Sequence, residues 1–235
     1  MKKISILLMV FLLLSLSVVN AQEEDVKDDL EVSVFGGLGL PLGGVTDWHD
    51  SLGASLGWDI GVEVGYFVTP NFVLGLNFTY YELSIDVPSE PTITGSNGVP
   101  GVTFVSLASN AEGLSHRYYN PSLYLKYYFF GESNWVPYLK GHIGIDNAKF
   151  TTLIDQEGSV TRYRALSYDP NLAFGFGGGL FYYTSDYSGL FLEANFHYSA
   201  GKNAEKEFYG NTYVFDENAM IFDIHAGVSV YFGAD

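Results

Sequence analysis

The sequence predicts an all-β chain closed into a transmembrane, up-and-down antiparallel barrel of about eight strands. Three observations carry that expectation: long stretches alternate apolar and polar residues, the connections between them alternate long and short, and the apolar set is too bulky for the inside of a small barrel. The final stretch shows the alternation most fully. Met220, Phe222, Ile224, Ala226, Val228, Val230 and Phe232 form one set, and Asp223, His225, Gly227, Ser229 and Tyr231 the other. Successive side chains of a strand point to opposite faces, so one face of this strand is wholly apolar. Such a strand inside a two-sided apolar core would bury Asp223. A barrel in lipid instead turns the apolar face outward and the polar face into a small lumen, with every backbone group paired.

The first 21 residues form a targeting segment. Lys2 and Lys3 supply a positive start, Ile4 to Val18 an apolar stretch, and Val19-Asn20-Ala21 a small-residue cleavage site. Export is implied, with residues 22–235 as one barrel domain. Cleavage lowers Lys plus Arg from 11 to 9 against 27 acidic residues, a net charge of −18. That balance argues against recognition of nucleic acid or of anionic lipid through a basic patch. There is no cysteine, hence no disulfide or thiol chemistry. The 18 tyrosines, 18 phenylalanines and 27 glycines suit a barrel.

After an acidic lead-in, Val32, Val34, Gly36, Leu38 and Leu40 alternate with Ser33, Phe35, Gly37 and Gly39. A loop follows from Pro41 to Gly53. Leu56, Trp58, Ile60, Val62, Val64 and Tyr66 then share a face opposite Asp59, Gly61, Glu63 and Gly65, and Thr69-Pro70-Asn71 reads as a tight turn. Phe72, Leu74, Leu76, Phe78 and Tyr80 oppose Gly75, Asn77 and Thr79. The segment from about Asp86 to Ser115 is long and rich in Pro, Gly and Ser, which makes it a surface loop.

Pro121, Leu123, Leu125, Tyr127 and Phe129 resume the apolar set over Asn120, Ser122, Tyr124 and Lys126, before a turn at Gly131 to Asn134. Leu139, Gly141, Ile143 and Ile145 oppose Tyr138, Lys140, His142 and Asp146. Thr152 to Ser167 reads as a polar loop. Leu172, Phe174, Phe176, Gly178, Leu180 and Tyr182 oppose Gly175, Gly177 and Gly179, and Thr184 to Ser188 turns the chain. Leu190, Leu192, Ala194, Phe196 and Tyr198 oppose Glu193, Asn195 and His197. Gly201 to Asn218 is the last long loop.

Long loops on one side and tight turns on the other are the habit of outer-membrane barrels, whose turns face the periplasm. A soluble barrel would invert the two faces. Against that, an eight-stranded lumen holds only packed side chains, and Trp58, Phe72, Phe78, Phe174, Phe176 and Phe222 would crowd it. Aromatics also gather beside the short turns: Tyr66, Phe67, Phe72, Phe129, Phe130, Trp135, Tyr182, Tyr183, Tyr187 and Phe232. Such rings mark a membrane–water interface.

The export segment, the amphipathic strands, the Tyr66-Phe67-Val68-Thr69-Pro70-Asn71-Phe72 turn and the aromatic-rich last strand resemble the OmpA/OmpX-type small outer-membrane barrels. Barrels of that kind commonly end on an aromatic residue, whereas Gly233-Ala234-Asp235 follow Phe232 here. The resemblance implies the outer membrane of a Gram-negative-type bacterium, a monomer in contact with outer-membrane lipid and lipopolysaccharide, and delivery by the barrel assembly machinery.

Asp59, Glu63, Asp146, Glu193 and Asp223 share the inward set with Lys126, Lys140, His142, His197 and His225. A narrow lumen keeps such groups by pairing them, since an unpaired buried ion is costly. A structural ion network is therefore expected, with no catalytic residue, cofactor or metal. The histidines stand on separate strands and form no metal-ligand spacing. The inward glycines make room for rings such as Tyr124 and Tyr138.

A second reading attaches to Phe196-His197-Tyr198-Ser199-Ala200-Gly201, which resembles the His-x-Ser segment of outer-membrane lipid A deacylases. The resemblance implies His197 as base, Ser199 as nucleophile and Glu217 as the orienting acid. Ala200 stands where asparagine is usual, and the strand's parity turns His197 and Ser199 into the lumen, away from a lipid substrate. The expected function is a structural, envelope-integrity or surface-interaction role with the lumen plugged by ions. Tyr209, Tyr213 and Phe215 beside Lys202 and Lys206, with the 86–115 segment, are the candidate surface for an extracellular ligand.

Overall fold

The structure is a computed structural model that describes residues 30–42, 54–85, 115–157, 160–200, 204–208, 211–215 and 218–233; for 150–166, 204–208 and 211–215 the backbone alone is described. The export segment lies outside the described residues, as do the loops expected from Pro41 to Gly53 and from about Asp86 to Ser115, except that Pro41, Leu42 and Ser115 belong to strands. The strands are β1 (Leu30–Leu42), β2 (Ala54–Thr69), β3 (Phe72–Ile85), β4 (Ser115–Tyr128), β5 (Trp135–Glu157), β6 (Val160–Ser167), β7 (Asn171–Ser185), β8 (Ser188–Ser199), β9 (Ala204–Phe208), β10 (Asn211–Phe215) and β11 (Ala219–Phe232).

Eight of them close a barrel. The order β1-β2-β3-β4-β5-β7-β8-β11 is antiparallel throughout, and β11 returns to β1 from Leu30 opposite Phe232 to Leu42 opposite Met220. Closure leaves the barrel wall without an unpaired edge, the condition for backbone to cross hydrocarbon. Short connections join β2 to β3, β4 to β5 and β7 to β8 at one end, here the turn end. Asn71 braces the first of these, its side-chain amide donating to the Tyr128 carbonyl (2.9 Å) while its own carbonyl accepts from Tyr128 N–H (2.8 Å).

Two expected loops contain strands. The segment 152–167, read as a polar loop, carries the end of β5 and all of β6, paired from Lys149 opposite Ser167 to Glu157 opposite Val160. Within 201–218, β9 pairs with β10. In each hairpin the two strands pair with one another, and no sustained apolar alternation marks either in the sequence.

Exposure alternates along every barrel strand as the sequence predicts. Leu76 and Phe176 on the outer face are 64% and 65% exposed, while Glu63 and Asp223 inside are 1% and 0%. The outer belt of Leu, Ile, Val and Phe is continuous around the wall, far larger than a water-soluble monomer leaves bare, and lipid is the solvent that matches it. Aromatic pairs border the belt. At the turn end these are Phe72–Tyr127 (ring centroids 4.6 Å apart) and Trp135–Tyr182 (4.7 Å), and at the opposite, loop end Trp58–Tyr80 (5.4 Å) and Phe174–Tyr198 (4.9 Å).

Three of the expected interfacial aromatics belong elsewhere. Phe67 is fully buried in the lumen, and Phe130 and Tyr183 pack against the same interior cluster of Phe35, Val73, Tyr124, Tyr128, Tyr138, Phe181, Phe191 and Tyr231. Phe67 shares parity with Glu63 and Gly65, so proximity to a turn does not carry it to the outer face. Glycines on neighbouring strands accept these rings. A Cβ at Gly65 or Gly75 would run into Tyr124, one at Gly179 into Tyr138, and one at Gly61 into Phe35. A second apolar cluster, including Tyr81, Leu83, Tyr118, Ala219 and Ile221, fills the loop end.

Candidate functional site

Between the two apolar clusters the lumen is polar. Glu31, Asp59, Glu63, Asp146, Glu193 and Asp223 are all buried there with Lys126, Lys140, His197 and His225, and His142 is half-buried. Each arrives by parity, from an inward position on its strand.

The half nearer the turn end is joined by lysines. Lys126 Nζ lies 3.0 Å from Glu31 Oε1 and 3.2 Å from Glu63 Oε2. Lys140 binds the other oxygen of Glu63 and lies 2.7 Å from Glu193 Oε1. Glu63 on β2 thus bridges an ammonium from β4 and another from β5. Glu31 also accepts from the Tyr128 hydroxyl (3.0 Å) and from Ser33 (3.1 Å). The ammonium of Lys126 stands 5.2–5.8 Å from the ring centroids of Tyr138, Tyr124, Tyr128 and Phe191, whose faces favour a cation.

Nearer the loop end the carboxylates meet rings and amides. His225 Nε2 lies 3.0 Å from Asp59 Oδ1 and 3.2 Å from Asp223 Oδ1, so one ring edge serves two acids. Tyr81 donates its hydroxyl to Asp223 Oδ2 (3.1 Å). Asn195 links the halves, donating to Glu193 (2.6 Å) beside His225 Nδ1 (3.2 Å). Asp146 takes His197 Nε2 at 2.8 Å and Asn120 Nδ2 at 2.7 Å, with Ser199 buried beside the same carboxylate.

His197 and Ser199 are therefore both inside the barrel, 0% and 3% exposed, at the loop end of β8. The imidazole is committed on both nitrogens, Nε2 to Asp146 and Nδ1 to His142 Nε2 at 3.2 Å. A nucleophile needs its base on the hydroxyl and its substrate within reach; here both imidazole nitrogens are taken by Asp146 and His142, and the barrel wall separates His197 and Ser199 from lipid. Glu217 lies outside the described residues, as do Lys202 and Tyr209; Lys206 falls in β9 and Tyr213 and Phe215 in β10, where the backbone alone is described.

Among the described residues no group of His, Asp and Glu has the arrangement of a metal site. Sequence reasoning brought together the ten charged and imidazole residues of the inward set but omitted Glu31, Tyr81 and Asn120 as partners. Parity was the available signal for all three: Glu31 shares a face with Ser33, Tyr81 with Thr79, and Asn120 was already placed inward.

No family model and no curated protein matches the chain. Solved structures do. Neisserial surface protein A superposes with a TM-score of 0.55 at 15% identity, over 86% of this chain and 97% of that one. The outer membrane protein OprG from Pseudomonas aeruginosa gives 0.50 at 11% identity, over 88% and 97%. The fold is that of the OmpA/OmpX-type small outer-membrane barrels. At these identities the likeness concerns the fold alone, and the barrel's interior has to be read from its own residues.

Proposed function

We propose that the protein is a closed, non-conducting barrel of the outer membrane, exported by residues 1–21, with an envelope-stabilising or surface-interaction role. The observation that carries this reading is the layering of the lumen. A cross-linked ionic middle lies between an aromatic cluster at the turn end and an apolar cluster at the loop end. Eight strands enclose only enough space for side chains, and these side chains use it. Apolar layers across both mouths are barriers that a hydrated ion does not cross cheaply.

The long connections emerge at the loop end, which supports contact with an extracellular ligand or with lipopolysaccharide as the outward-facing role. The barrel needs no second subunit to satisfy its backbone, in keeping with a monomer inserted by the barrel assembly machinery. The hydrolase reading is not favoured, since both imidazole nitrogens of His197 are taken and Ser199 faces the lumen, away from lipid.

Planar bilayers containing the purified, refolded protein test the proposal directly. The expected record has no stable, large conductance. Regular steps on the nanosiemens scale would overturn the closed lumen and restore a porin role.

A further inference from the structure

Four cationic side chains are described in this chain, and two of them, Lys126 and Lys140, are consumed inside the lumen. The other two, Arg117 and Lys149, stand directly opposite one another on β4 and β5. Both point outward, on the same parity as Tyr119 and Ile145. Their height on the wall is informative. Tyr119 and Tyr80 belong to the loop-end aromatic border (centroids 5.1 Å apart), and Arg117 is one outward position beyond Tyr119. Aromatic borders sit at the level of lipid headgroups, so the two cations occupy the headgroup layer just outside the hydrocarbon.

The guanidinium is held in place. Its Nε and Nη2 lie 3.3 and 3.2 Å from Glu82 Oε1, and Nε lies 3.0 Å from Ser115 Oγ. Glu82 is itself anchored by the Ser115 hydroxyl (2.6 Å) and the Tyr80 hydroxyl (3.0 Å). This bracing occupies one edge of the guanidinium and leaves the other open, with the Arg117 side chain 42% exposed. Lys149 is exposed and rests its ammonium over the Tyr119 ring, 5.6 Å from the centroid. A planar fork beside a mobile point charge is a combination suited to a phosphate group. A chain of net charge −16 would otherwise repel an anionic headgroup, which makes two adjacent cations at this depth a local exception.

We infer that Arg117 and Lys149 form a docking site on the barrel wall for the phosphate of a lipid A-type glycolipid in the outer leaflet. The occupant follows from charge complementarity and depth, and from the site lying at the loop end, the outward side of the proposed barrel. The inference rests on the membrane placement and not on the closed lumen, so a conductance measurement and a lipid-retention measurement fail independently.

The test is native mass spectrometry of the full-length barrel released from mixed micelles. The probes are lipid A carrying both phosphates, lipid A stripped of phosphate, and phosphatidylglycerol. The phosphorylated glycolipid should be retained preferentially. A surface charge near an anionic lipid layer corresponds to about a fivefold change in retention. Lys149→Ala should therefore lower retention about fivefold, and Arg117→Ala by less, because Glu82 already faces that guanidinium. The double variant should abolish the preference for phosphate. Lys149 is exposed, and its replacement leaves folding intact, read from the heat-dependent gel shift. Equal retention of stripped lipid A, equal retention of phosphatidylglycerol, or a Lys149→Ala variant that retains phosphorylated lipid A as the parent does would each overturn the assignment.

Discussion

Near the turn end of the lumen, two lysines each bridge a pair of carboxylates; near the loop end, no described lysine enters, and Asp59, Asp146 and Asp223 are served by His225, His197, Tyr81 and Asn120. Both halves tie together strands that are not neighbours in the wall. Lys126 joins β4 to β1 and β2, His197 joins β8 to β5, and Tyr81 joins β3 to β11. The groups differ in what they leave behind when cut. A lysine's long stem lets one full charge satisfy two acids, so removing the shared acid takes one of two partners from each ammonium at once. Rings and amides carry no such long-reaching charge, and Asp146 has two donors of its own, His197 and Asn120. The lysine half concentrates its stability in a few residues, and the imidazole half distributes it.

The largest expected effect follows from Glu63, the acid shared by Lys126 and Lys140. Glu63→Ala should cost on the order of 3–5 kcal/mol, as for other buried charges deprived of a partner. Urea unfolding in detergent, with the fraction of heat-modifiable protein as a second readout, measures it. A loss below about 1 kcal/mol would mean that the lysines find other acids, and the contrast between the halves would fail.

His197→Gln should cost less, about 1.5–3 kcal/mol for a hydrogen bond to a charged group, because Asn120 still serves Asp146. The same unfolding assay applies. A cost equal to that of Glu63→Ala would show that the loop-end cluster depends on a single residue after all.

The smallest effect belongs to Ser199→Ala, at about 1 kcal/mol or less. The acylation pattern of lipid A, read by mass spectrometry from cells carrying the parent or the variant, should be the same. Release of an acyl chain that disappears with Ser199 alone would reinstate a hydrolase, and with it a loop end built for chemistry.

The wall of the barrel was legible in the sequence because its alternation is long and unbroken. The strand from Met220 to Phe232 places Asp223 and His225 inward on periodicity alone, and both are there. Gly65 and Gly179 likewise announced room for Tyr124 and Tyr138. Phe67 was misplaced because nearness to a turn was allowed to outweigh parity. The hairpin of β5 and β6 was missed because no sustained apolar alternation marks residues 150–166. Glu31 was passed over beside an acidic lead-in, although its parity with Ser33 put it in the lumen.

The sequence by itself determined which residues face lipid and which face the lumen, because period two is a property of the extended backbone and needs no partner. It also determined the alternation of long and short connections. Only the tertiary structure decided that Lys126 meets Glu31, 95 residues earlier, and that His197 meets Asp146. It alone set Arg117 opposite Lys149 and packed rings at one end of the lumen and apolar side chains at the other. Those encounters depend on the stagger of eight strands around a closed wall. That stagger is fixed by closure of the whole barrel, and no single strand carries it.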